Sequence, residues 1–412
     1  MRGLLRIFLA FLAALALTLL AFFFYVNSTK IPRYPLLPVS VTIESTSERV
    51  AEGRRIANIL CADCHRDKAS GKLAGKPMLE VPDNLGRFYS ANITRDEVHG
   101  IGGWSDGDLA RILRTGIRRD GSFAPVMVQV PRMSDEDVAS IIAFLKSDDP
   151  MLTPVEVDQP AQQPTWLGKA ILRFMMKPSP YPSGPVPEPN RGDPVAFGRY
   201  LVRDKFLCYG CHTASFSEDP ENPERIKGYL SGGFELLDPS GAKVLSANIT
   251  PDDETGIGKF TAEDLGRALR KGIRPDHTPV RPPMPRFYGI TDEEIAAMHA
   301  YLKSLPAVKR AIPRPPLPPM PETDDEGAKV YAKYECAQCH GESGTGKYDL
   351  TTAAVKYSTD QEIIDYIRHP SRVKPNTEMP DWDGVITDEE FGPLAAYVRK
   401  LGEAKHDGEN AK

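Results

Sequence analysis

The six cysteines of this 412-residue chain all fall into three copies of one pentapeptide. Cys61-Ala62-Asp63-Cys64-His65, Cys208-Tyr209-Gly210-Cys211-His212 and Cys336-Ala337-Gln338-Cys339-His340 share the pattern C-x-x-C-H. Two thiols one helical turn apart can form thioethers with the vinyl groups of a haem, and the adjacent imidazole then reaches its iron. The pattern predicts three covalently bound haem c groups, held by Cys61 and Cys64, Cys208 and Cys211, and Cys336 and Cys339, with His65, His212 and His340 as proximal ligands. Other chemistries fit less well. Cysteines three apart on a helical turn are poor disulfide partners, and zinc usually takes four N or S ligands where each motif offers three. A thioredoxin-type pair follows a strand, whereas helical patterns precede these motifs.

An iron that only passes electrons usually has a second protein ligand, commonly Met. Each copy offers one in register: Met127 after Pro125-Val126, Met284 between Pro283 and Pro285, and Met379 between Glu378 and Pro380. Each precedes by seven or eight residues a Ser or Thr followed by acids (Ser134, Thr291, Thr387), the signature of a helix N-cap. A methionine is ordinarily a core filler, but a threefold repeat in register favours axial ligation by Met127, Met284 and Met379. Met133 is a nearby alternative to Met127. His99, His277, His299, His369 and His406 do not recur in register and are expected at the surface or at helix ends.

The elements that must position these groups repeat as well. Helical stretches begin at Gly53, Gly198 and Gly327 ahead of the motifs, and apolar-periodic stretches follow the caps. Phe144, Tyr301 and Tyr397 lie 17 or 18 residues after the methionines, so glycine on the leading helix can face an aromatic on the closing helix. Pro393 should kink the third closing helix or delay its start.

At the N-terminus, Arg2 and Arg6 precede Ile7–Val26, twenty residues whose one polar member is Thr18. As a helix this spans about 30 Å, the thickness of a bilayer core. A retained anchor is favoured over a cleaved signal peptide, because cutting after Ala14-Leu15-Ala16 would leave Leu17–Val26 as an apolar end. The positive-inside rule then places everything after Asn27 in the periplasm. Residues 1–30 are the anchor. Domains are expected at 31–150, 191–305 and 322–402, with linkers at 151–190 and 306–321 and a polar, disordered tail at 403–412. In the first linker, Leu167, Ala170, Ile171, Phe174 and Met175 share a helical face beside Lys169, Arg173 and Lys177; such a helix suits either a neighbouring domain or an anionic membrane surface.

With a net charge of −5, a sequence pI near 6.0 and no overall basic surface, nucleic acid is excluded as a partner. The acidity is concentrated in residues 321–412, which carry 11 Lys or Arg against 19 Asp or Glu. That surface suits either transient docking to a basic partner such as a small soluble cytochrome or a solvated region that keeps the protein soluble.

Each unit resembles the class I c-type cytochromes. The first two look like the cytochrome c subunits of membrane-bound alcohol, gluconate and related periplasmic dehydrogenases, on Tyr89-Ser90-Ala91-Asn92-Ile93-Thr94 with Gly100-Ile101-Gly102-Gly103-Trp104, and on Ser246-Ala247-Asn248-Ile249-Thr250 with Gly256-Ile257-Gly258-Lys259-Phe260. The third unit is shorter and lacks the Asn-Ile-Thr segment. The resemblance implies an all-α chain, a transmembrane helix followed by three cytochrome c domains. It would relay electrons from a dehydrogenase or quinol donor to a soluble cytochrome or terminal oxidase at the cytoplasmic membrane, as an electron carrier without catalytic side chains. The rival readings are a haem enzyme with one open iron, such as a peroxidase or sulfur-oxidising cytochrome, and a permanent subunit of a respiratory complex.

Overall fold

The computed structural model describes the chain except residues 1, 29–31, 68, 80, 215–221, 238–241, 314–321, 347, 375–376, 378 and 410–412, and except the side chains of residue 2 and of residues 403–409. Expectations for Arg2, for His406, for Glu378, for the second linker beyond residue 313 and for the end of the tail lie outside the described residues. The chain divides into two compact units, Met1–Glu188 and Pro189–Lys412. The first holds one C-x-x-C-H motif and the second holds two.

The plan repeats around each motif. A leading helix (Ser47–Leu60, Pro194–Tyr200, Glu326–Lys333) delivers the chain to the motif, and a closing helix (Asp135–Leu145, Asp292–Ser304, Asp388–Glu409) packs across it. A middle helix lies between them in sequence (Asp106–Thr115, Ala262–Arg270, Asp360–Arg368). All three middle helices start at a capping box, Ser105/Asp108, Thr261/Asp264 and Thr359/Glu362, which satisfies two otherwise orphaned backbone N–H groups. The expected caps of the closing helices form at Ser134 and Thr291, whose hydroxyls accept from Asp137 N and Glu294 N, each at 3.1 Å.

The small-against-large packing is present in all three copies. A Cβ on Gly53 would lie 1.8 Å from the Ser140 carbonyl and 2.8 Å from Phe144 Cβ. On Gly198 it would lie 1.8 Å from the Ala297 carbonyl and 2.9 Å from Tyr301 Cβ, and on Gly327 2.1 Å from the Pro393 carbonyl and 2.5 Å from Tyr397 Cβ. The helices approach backbone to backbone, so no larger residue fits at the crossing. Phe144, Ile141, Ile142 and Ile56 fill the first core with essentially no exposure.

Several expectations are corrected. Among the described residues the chain is mostly helical, with two short antiparallel ladders, Gly86–Arg87 with Gln163–Pro164 and Glu235–Leu237 with Lys243–Leu245. The third closing helix starts at Asp388 and runs through Pro393 in its second turn, at the loss of the one bond that residue's N–H would make to the Glu389 carbonyl. It continues to Glu409, so the expected tail is helical over most of its length. The leading stretch of the second unit turns from α-helix to π-helix at Leu201–Lys205.

The N-terminal helix, Arg2–Ser28, is long and apolar enough to cross a bilayer, with a mean hydropathy of 2.8 over its strongest window and none of that window buried against protein. Burial begins only at Val26.

Candidate haem sites

Each motif folds as one helical turn, Ala62–His65, Tyr209–His212 and Ala337–His340, with the first cysteine at its N-cap. That turn brings the two sulfurs and the imidazole to one side of the chain. All six cysteines are free of disulfides. Burial, reinforced by the second cysteine, pushes the Cys61, Cys208 and Cys336 thiols up to about 12, so these sulfurs sit neutral in apolar surroundings. A thioether carries no charge and suits such a setting.

The three imidazoles are fixed in the same way. His65 Nδ1 lies 2.7 Å from the Ala91 carbonyl, His212 Nδ1 2.8 Å from that of Ala247, and His340 Nδ1 2.7 Å from that of Tyr348. A carbonyl only accepts, so Nδ1 carries the proton and Nε2 is left with a lone pair. Burial lowers the pKa of all three below the ordinary histidine value, more than these hydrogen bonds raise it. A neutral imidazole with a fixed tautomer and a free Nε2 is what a haem iron requires as proximal ligand.

The two Ser-Ala-Asn-Ile-Thr segments thereby acquire a structural purpose. Asn92 accepts from Thr94 N and Oγ1 and donates to the carbonyls of Val155 and Val157; Asn248 accepts from the same two atoms of Thr250 and donates to the Val308 carbonyl. Both are buried. This knot holds the preceding alanine, whose carbonyl meets the histidine. The third repeat lacks it and uses the loop after its own motif: Gly346 N bonds back to the His340 carbonyl and Tyr348 N to that of Cys339.

Met127, Met284 and Met379 are all half-buried on loops between middle and closing helices, whereas Met133 is completely buried in the core. Each of these loops is stapled at its base by an arginine near the end of the middle helix. Arg114 bonds Asp135 at 2.7 Å, Arg270 bonds Asp292 at 2.7 Å, and Arg368 bonds Asp388. Arg114 also donates to the carbonyls of Val130 at 3.2 Å and Pro131 at 3.1 Å and to that of Met133, while Arg270 donates twice to that of Ile290. The sequence reading missed these pairs, although they recur in register.

The remaining described histidines engage locally. His99 pairs with Asp96 at 3.0 Å, His299 Nε2 lies 2.8 Å from the Phe260 carbonyl, His369 caps a helix, and His277 occupies a left-handed turn position.

Within the second unit the loops bearing Met284 and Met379 meet. Tyr288 OH donates to the Thr377 carbonyl at 2.6 Å, Lys271 Nζ to the Asp383 carbonyl at 3.0 Å, and Asp381 N to the Lys271 carbonyl at 3.2 Å. Arg281 lies 3.7 Å from Glu335, the residue before Cys336, and Ile273 is buried within the core of the third repeat.

Comparison with known proteins agrees with this arrangement. The cytochrome c family model matches residues 50–148 and 198–306, and the model for cytochrome c oxidase, cbb3-type, subunit III matches 322–398. The alcohol dehydrogenase (quinone) cytochrome c subunit of Gluconacetobacter polyoxogenes is 30% identical over 407 residues, covering 87% of this chain and 81% of its own. The fructose dehydrogenase cytochrome subunit of Gluconobacter japonicus is 28% identical over 82% of this chain and 76% of its own. The gluconate 2-dehydrogenase cytochrome c subunit of Pantoea cypripedii is 28% identical over 69% and 67%. The chain belongs to the cytochrome c family and is homologous over most of its length to the cytochrome c subunits of alcohol, fructose and gluconate dehydrogenases.

Proposed function

We propose that this chain is a membrane-anchored periplasmic electron relay with three covalent haems. It takes electrons from a dehydrogenase or quinol-oxidising partner and passes them to a soluble cytochrome or a terminal oxidase. The observation that carries this reading is the threefold repetition of one arrangement: a C-x-x-C-H turn whose histidine is oriented by a backbone carbonyl, followed by a stapled methionine loop. Bound haem iron supplies one-electron chemistry by alternating between its ferric and ferrous states. The protein's part is to hold and insulate. Cys61 and Cys64, Cys208 and Cys211, and Cys336 and Cys339 would tether the porphyrins. His65, His212 and His340 would present Nε2 to one face, and Met127, Met284 and Met379 would close the other against competing ligands.

The junction between the second and third repeats supports a direct electron path between their haems, because the loops carrying Met284 and Met379 are bonded to each other. The acidic third repeat, with its match to an oxidase subunit family, is the favoured exit. Cytochrome subunits of quinone-dependent dehydrogenases among the relatives favour a dehydrogenase as donor. The intact mass of the periplasmic product, together with carbon monoxide titration of the reduced protein, tests the reading. Three haems per chain and negligible carbon monoxide uptake are expected. Fewer haems would refute the relay, and stoichiometric uptake at one iron would favour a haem enzyme.

A further inference from the structure

The linker helix Trp166–Phe174 does not turn the expected face inward. Gly168 and Leu172 are its buried residues, and a Cβ on Gly168 would lie 2.1 Å from the Leu85 carbonyl, so this side sits against the first haem unit. Trp166, Phe174 and Met175 remain 46%, 50% and 71% exposed, an apolar surface with no protein against most of it.

The same helix grips the end of the N-terminal helix. Phe174 stacks on Phe22 with ring centroids 5.7 Å apart, and Trp166 lies 6.0 Å from Phe23. Arg173 donates to the Tyr25 hydroxyl at 2.8 Å with its guanidinium 4.8 Å from the Tyr25 ring centre, and Lys169 Nζ reaches the Asn27 carbonyl at 3.3 Å. The residues that follow the helix are strapped to the same haem unit: Tyr34 N bonds the Gly121 carbonyl at 2.8 Å, and Ile43 N bonds Asp106 at 2.8 Å.

Length sets the depth of this contact. A span running Gly3–Ser28 is about 39 Å long at 1.5 Å per residue, against a hydrocarbon core of about 30 Å. With Ile7, the first residue after Arg6, at the inner boundary, Val26 reaches the outer boundary, Phe22 and Phe23 lie about 5 Å inside it, and Asn27 and Ser28 stand among the headgroups. Aromatic rings and Lys or Arg side chains collect at that depth, because rings take the apolar side while the cations reach phosphate.

We propose that Trp166–Phe174 is an interfacial helix that lies in the outer headgroup layer of the anionic membrane, with Trp166, Phe174 and Met175 covered by lipid. It is a bracket fixing the first haem unit to the bilayer surface. This proposal rests on the anchored reading of the N-terminal helix. The fixed mounting would hold the first haem at the height where a membrane-soluble donor or a membrane-bound dehydrogenase delivers electrons.

The test uses the full chain in vesicles of phosphatidylethanolamine and phosphatidylglycerol, 3:1, carrying a lipid-borne photoactivated carbene label read by mass spectrometry. The expected result is labelling of both the N-terminal helix and Trp166, Phe174 or Met175. Leu79 and Val98, which are 74% and 82% exposed on the same unit, should stay unlabelled. Label confined to the N-terminal helix overturns the bracket and leaves the anchor standing. No label on the N-terminal helix overturns the anchor and the bracket with it.

Discussion

Replacing Arg114 with Ala should open the first methionine loop without unfolding the unit. The Arg114 side chain is 2% exposed and donates to three loop carbonyls and to Asp135. Asp135 is 59% exposed and the Val130 carbonyl keeps Met133 N at 3.3 Å, so the cost of removing Arg114 falls on the Pro131 and Met133 carbonyls, at about 1–3 kcal/mol each. If about 3 kcal/mol of that is released when the loop swings away, the open form gains roughly 100-fold in population, at 1.4 kcal/mol per tenfold. Cyanide binds ferric haem only where the methionine has left, so its affinity at one haem in three should rise by about that factor. The sulfur-to-iron charge-transfer band of the oxidised protein should weaken in parallel. Arg270 is 37% exposed and serves one carbonyl and an exposed Asp292, so Arg270→Ala should cost about 1–2 kcal/mol and raise affinity about tenfold at the second haem. Arg368 pairs with the exposed Asp388 and Asp383 and, among the described residues, donates to no carbonyl of its methionine loop, so it should matter least. If Arg114→Ala leaves cyanide affinity within about threefold of the parent with three haems in place, or if Arg368→Ala matches it, the reasoning from burial is wrong.

Three further outcomes are expected. Gly198→Ala should destabilise the second unit by about 2–3 kcal/mol, because its Cβ meets backbone that cannot rotate aside, whereas Gly392→Ala, on a closing helix with nothing within 4 Å, should be harmless; equal thermal shifts would dismiss the close helix crossing. Burial raises the Glu390 pKa, but hydrogen bonds from Lys333, Tyr334 and Thr387 N outweigh it and hold the carboxyl at about 2. This folded value lies below the ordinary 4.5, so the stabilisation is complete above about pH 4.5 and is lost as pH falls through about 2. Glu390→Gln should therefore be less stable than the parent at neutral pH and converge with it near pH 2 in an acid unfolding titration followed by circular dichroism. Finally, Lys271→Ala with Tyr288→Phe removes two inter-repeat hydrogen bonds at about 1 kcal/mol each, shifting docking roughly 30-fold. Electron equilibration between the second and third haems after flash photoreduction should slow, and an unchanged rate would show that the docked loops do not carry the path.

What the amino-acid order revealed follows from which chemistry needs side chains at fixed separations. Thioether tethering demands two cysteines and a histidine within five residues, so the motifs are legible without any fold. The methionines stand out as candidate ligands only because three copies share a register. Glycine at the helix crossings could be paired with its aromatic for the same reason. The linker helix was harder: the apolar face of Leu167, Ala170, Ile171, Phe174 and Met175 leaves out Leu172, and the choice of buried face was made by Gly168, where the Leu85 backbone approaches too closely for any side chain. The loop staples were hidden by distance, since Arg114 and Asp135 stand 21 residues apart and arginine at a helix end usually answers to the helix dipole alone.

The histidine supports were hidden for a deeper reason. The atom that orients each imidazole is a backbone carbonyl, and every residue has one. The third repeat makes the point, because it reaches the same Nδ1 geometry with no Asn-Ile-Thr segment. There Gly341, at φ 72°, turns the chain back, and Gly346 packs so closely on it that a Cβ would lie 2.4 Å from Gly341 N. The loop is then tight enough for Tyr348 to present its carbonyl eight residues after the histidine. Two unrelated local solutions, a buried asparagine knot and a two-glycine loop, converge on one acceptor position. The constrained quantity is therefore the place of an oxygen atom, and the residues that secure it are free to differ between repeats of the same chain.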